Sequence, residues 1–97
     1  MELSEFKATL TDAQPPAELS LALQAMWQDA HQNWGAAHSL AQAQDDEVGA
    51  WVHAYLHRVE GDNDNAAYWY RRAGRPVSHQ SLPDEWESIV TALLAAG

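Results

Sequence analysis

The sequence predicts an all-α domain of five or six short helices, and three observations lead there. Apolar residues recur every three or four positions in successive stretches, most clearly Trp86, Ile89, Val90, Leu93 and Leu94. No stretch alternates apolar and polar residues as a half-buried strand does. Helix punctuation stands between the stretches, at Pro15-Pro16, Gln32-Asn33, Asp45-Asp46, Gly61-Asp62 and Pro76. The expected layout is one helical domain over 1–97. It has an N-terminal flap over 1–14, a helical hairpin over 17–44, a second over 46–74, and a C-terminal amphipathic helix over 82–96.

Each element has a local reason. Leu3, Phe6 and Leu10 give the flap a short apolar stripe, which Pro15 and Pro16 terminate by withholding amide donors and biasing the preceding residue away from helix. Pro16 also suits a helical first turn, so the next helix is expected from Ala17 to about His31, with Leu19, Leu23, Met26, Trp27 and Ala30 at helical spacing. Asn33 is the expected N-cap of an alanine-rich helix from Trp34 to Ala43, whose small residues permit close approach of a neighbour. Asp45 and Asp46 cap a fourth helix running to Glu60. Gly61-Asp62 stops it, and Asp62 caps a fifth over Asn63–Ala73, with Gly74 at the left-handed C-terminal position. Ser81 caps the last helix, and Asp84, Glu85, Glu87 and Ser88 are expected to face outward.

Composition narrows the function classes. The 97 residues suit one domain, and an apolar content of 46% suits a packed one. A net charge of −9 argues against nucleic acid and against anionic membrane surfaces, which require clustered Lys and Arg. Four of the five basic residues, Arg58, Arg71, Arg72 and Arg75, nonetheless gather after position 57, where a small positive patch could hold one anionic group. Arg71 and Arg72 also suit a helix C-terminus. With no cysteine, disulfides and thiolate metal sites are excluded. No basic leader followed by an apolar run opens the chain and no stretch has membrane-spanning length, so cytoplasmic residence is the expectation.

Displacing the chain by thirty residues pairs Asn33 with Asn63, Ala36-Ala37 with Ala66-Ala67, and Ala43 with Ala73. Periods of this order mark stacked helical hairpins. The turn and helix Gly61 to Gly74 resemble the second half of tetratricopeptide and Sel1-type repeats. Ala37-His38, Ala41-Gln42 and the run Trp51 to Gly74 together resemble a family of small bacterial proteins, with fungal relatives, of uncharacterised activity. Its hallmark is WxHAxxHRxEGDxxNAxYWxRRxG. The likeness spans roughly residues 20 to 77 and implies an all-helical domain; it brings no activity with it.

The chemistry-bearing residues lie in that run. His53, His57 and Glu60, at i, i+4 and i+7, share one side of a helix, away from the Val48, Val52, Tyr55 and Val59 stripe. Imidazoles one turn apart can share a transition-metal ion such as zinc, with Glu60 adding an oxygen. The His-Glu-x-x-His pattern of zinc proteases is absent, because Ala54 stands at the Glu position. His38 joins the pair if the hairpins pack antiparallel. The plainer alternative is a solvated or half-buried polar face, or a contact with a second copy of the chain. No nucleophile motif or phosphate loop supports catalysis. The favoured expectation is therefore a non-enzymatic binding or scaffold module for a peptide, a partner protein or a small anion, needing no cofactor. Its groove would be lined by His38, His53, His57, Arg58, Tyr68, Arg71 and Arg72. The rival is a small His-based or metal-dependent enzyme acting on a phosphate or carboxylate substrate.

Overall fold

Six α-helices and no strand make up the described residues, 1–96, of the computed structural model: α1 (Leu3–Thr9), α2 (Leu21–Ala30), α3 (Trp34–Ala43), α4 (Glu47–Val59), α5 (Asn63–Ala73) and α6 (Leu82–Ala96). The caps follow the residues expected to supply them. Asn33 accepts from the Ala36 amide at 3.4 Å, Asp46 from Gly49 at 2.8 Å, Asp62 from Asn65 at 3.3 Å and Ser81 from Asp84 at 3.2 Å. Gly61 and Gly74 adopt φ of 87° and 71°, the left-handed region that costs glycine least. No helix among the described residues is long and apolar enough to cross a membrane.

The start of the second helix differs from the expectation. Helix begins at Leu21, where Ser20 accepts from the Leu23 amide at 3.2 Å, while Pro16 accepts from Leu19 in a preceding turn. The side chain of Gln44, at the far end of α3, accepts from the Ala22 amide at 2.8 Å. Two of the orphan donors of the first turn are thus satisfied only if the helix starts at Leu21.

α2 packs on α3 and α4 on α5; α3 and α2 both lie against α4, and α6 crosses α4, α2 and α1. The core runs through this centre, with Phe6, Met26, Val52, Leu56, Tyr70, Ile89 and Val90 removed from solvent. Tryptophans bridge its layers. Trp86 donates to the Met26 carbonyl at 3.1 Å, Trp34 to the Leu56 carbonyl at 2.8 Å and Trp27 to the Thr9 hydroxyl at 3.2 Å, so these rings, two buried and Trp34 half-buried, have their N–H groups satisfied. The flap is helical and tied down: Phe6 sits 5.9 Å from the Trp86 ring, and Lys7 pairs with Glu87 at 2.8 Å. Gly49 sets the approach of α4 to the end of α3. A β-carbon there would lie 1.8 Å from the Gln44 carbonyl oxygen and 2.9 Å from that of Ala41.

Two side chains depart from the expected faces. Glu85 turns inward, 2% exposed, where it accepts hydrogen bonds from Arg58 and from the Tyr70 hydroxyl. A carboxylate can occupy that position because a guanidinium and a phenol answer its charge. Val59, at the end of the α4 stripe, emerges into solvent.

Candidate functional site

The α3–α4 packing brings His38 to His53 and His57. His53 and His57, one turn apart on α4, are near-parallel with ring centroids 4.8 Å apart. The His38 ring stands almost perpendicular to His53 at 4.6 Å and lies 5.5 Å from His57. One donor nitrogen from each of the three lies within 4.8 Å of the other two. Their face is neither solvated nor splayed: His53 and His57 are buried and His38 half-buried.

Two indoles wall the cluster. Trp69 from α5 stacks on His53 at 3.8 Å with planes 15° apart, and Trp34 stacks on His38 at 4.7 Å and meets His57 edge-on at 5.9 Å. Glu60 anchors the third ring, its Oε1 lying 2.6 Å from His57 Nδ1. With a carboxylate accepting there, a proton resides on Nδ1, and Nε2 is the nitrogen that this contact leaves free. No hydrogen bond within the described chain engages the ring nitrogens of His38 or His53, and no side-chain nitrogen or oxygen that is fully sealed from solvent lacks a partner. The free nitrogens therefore retain an opening to solvent.

This environment keeps imidazoles neutral. Burial, and then the neighbouring His38 and His57 rings, lowers the His53 pKa to about 4. His38 is lowered too, by burial and by His57, with the Glu60 carboxylate opposing. At neutral pH both rings present lone pairs.

A cleft of about 290 Å³ adjoins the cluster; His53, Trp69 and Arg72 line it together with Gln44, Asp45, Asp46 and Glu47. The Arg72 guanidinium lies over the Trp69 ring at 5.4 Å and the Tyr68 ring at 5.8 Å, and it donates to the Tyr68 hydroxyl at 2.9 Å. Of the residues expected to line one groove, His38, His53 and His57 meet directly, Arg72 lines the cleft with His53, and Tyr68 lies one layer out, against Trp69 and Arg72. Arg71 reaches only the Tyr68 ring, at 6.0 Å. Arg58 is not brought to the imidazoles, because Glu85 and the Gln80 carbonyl, at 2.9 Å, hold its guanidinium on the side of α6.

The expected groove lining left out Trp34, Trp69 and the acidic residues of the cleft. Trp34 precedes His38 by four positions, a spacing that sets side chains face to face on a helix, and that signal was available. Asp45 and Glu47 read only as helix-start residues, and nothing local reveals that they also edge a cleft. Searches with protein-family models, among curated proteins and among solved structures find no match to the chain.

Proposed function

We propose that the protein is a non-enzymatic binding module that holds a small carboxylate-bearing ligand, of the kind a peptide C-terminus presents, in the cleft beside His53. The observation that carries this reading is Arg72. Its guanidinium rests on two aromatic faces and lines the cleft, and each ion pair among the described residues engages other side chains. A cation fixed in this way needs little reordering before it takes a carboxylate. Trp69 supplies an apolar shelf next to it, the arrangement from which binding anchors are built. Asp45 and Glu47, which also line the cleft, repel polyanions and suit amide or ammonium donors of the same ligand.

The test is a nuclear magnetic resonance titration with tetrapeptides carrying a free C-terminal carboxylate, run against the same peptides amidated. Free peptides are expected to shift the Trp69 indole and Arg72 side-chain signals. Amidation or Arg72→Gln is expected to weaken binding about tenfold or more, as loss of a charged hydrogen bond does. Equal response to both peptide forms, or none in the cleft, contradicts the reading. The convergence of three imidazoles favours a second reading, a His-based or metal-dependent enzyme on a carboxylate or phosphate substrate. It requires turnover that disappears in His53→Ala.

A further inference from the structure

Three imidazoles from two helices converge here, and only His57 hydrogen-bonds to the chain, through Glu60. The ring nitrogens of His38 and His53 are left free by the chain and keep an opening through which an ion can enter. We propose that His38, His53 and His57 together bind one divalent transition-metal ion of the zinc class, with Glu60 as the positioning residue of His57.

Geometry carries the inference. Donors mutually within 4.8 Å place an ion at their centre no more than about 2.8 Å from each (4.8 Å over √3), and zinc–nitrogen bonds are about 2.0–2.1 Å. Each ring needs to advance by less than about 1 Å, within the reach of small side-chain rotations. The contact between Glu60 and His57 Nδ1 is the carboxylate–histidine pair that orients a ligand and raises its basicity, leaving Nε2 directed elsewhere. Trp34 and Trp69 hold the other two rings by stacking, and they supply the apolar shell that strengthens coordination. Three nitrogen donors without cysteine leave a fourth position for water or an external ligand, as in open rather than closed zinc sites.

A competing set exists on the same helix end, where His57, Glu60 and Asp62 also cluster. Glu60 and Asp62 are exposed there, and Asp62 is engaged in capping the Asn65 amide at 3.3 Å. The triple-histidine set is favoured because its donors are shielded and the ligand types are uniform. The inference stands apart from the cleft-ligand reading, since the ion would bind whether or not a peptide does.

The test uses the full chain stripped by chelator and titrated with zinc chloride by calorimetry, with cobalt(II) absorption reporting coordination. One ion per chain and a four-coordinate cobalt spectrum are expected. His38→Ala, a change at a half-buried position, is expected to reduce affinity by at least a hundredfold. Glu60→Gln, at an exposed residue, is expected to reduce it by about 10–100-fold while the circular dichroism spectrum is unchanged. Asp62→Asn keeps the cap, and with His31→Ala and His79→Ala it is expected to bind as the parent does. The proposal is overturned if the folded parent takes up no zinc, or if uptake survives His38→Ala and His53→Ala combined. Loss of uptake in Asp62→Asn would overturn it too, by moving the site to the exposed carboxylates.

Discussion

A carboxylate taken out of water has to find its charge answered nearby, and Glu85 is answered by Arg58 and by the Tyr70 hydroxyl. Burial first, and then the Glu85 carboxylate beside it, raises the Tyr70 pKa, so the phenol keeps its proton and remains a donor. Removing the guanidinium leaves a buried anion without its partner. Arg58→Ala is expected to cost about 3 kcal/mol in urea unfolding, whereas an exposed pair costs about 1 or less. Replacing Arg58 and Glu85 together by Leu should recover much of that loss. A cost in the surface range for Arg58→Ala would contradict the network. This network was not legible in the chain. Its three members come from three helices, and the amphipathic pattern of α6 assigned Glu85 to solvent because only local spacing was visible. The same contact explains why Arg58, adjacent in sequence to His57, takes no part in the imidazole site.

At the scale of the element, most boundaries were legible because capping is a local bond. Asn33, Asp46, Asp62 and Ser81 each accept an amide proton three residues onward, and Gly74 takes the left-handed conformation. The start of α2 was not, because part of its capping comes from Gln44, twenty-two positions away. Gly49 gives the sharpest prediction at this scale. In an ordinary helix interior, Gly→Ala stabilises by about 1 kcal/mol. Here the new methyl meets backbone oxygens of the α3 terminus, so Gly49→Ala is expected to destabilise by about 1–3 kcal/mol or more. Thermal unfolding decides by sign alone, and a raised midpoint would show that α4 does not approach α3 as described. The altered approach should also separate His38 from His53, which face each other across the same pair of helices.

The convergence of imidazoles is a property of the whole molecule. The spacing of His53, His57 and Glu60 on one helical side was legible, and His38 was a conditional member whose arrival depended on how the hairpins pack. Burial of the rings beneath Trp34 and Trp69 was not legible, since it needs helices on both sides of α4. That burial has a consequence for stability. The unfolded chain protonates His53 near 6.5 and the folded chain only near 4, so between those values the unfolded state binds more protons. Stability from this ring is fully present above about pH 6.5 and is lost as the pH falls towards about 4. The most direct measurement is a pH titration of the five histidine ring signals by nuclear magnetic resonance in chelated, metal-free protein. The account predicts that His53 stays neutral down to about pH 4 and that His38 titrates below the ordinary imidazole value. Five rings all titrating near 6.5, as free imidazoles in water do, would contradict it.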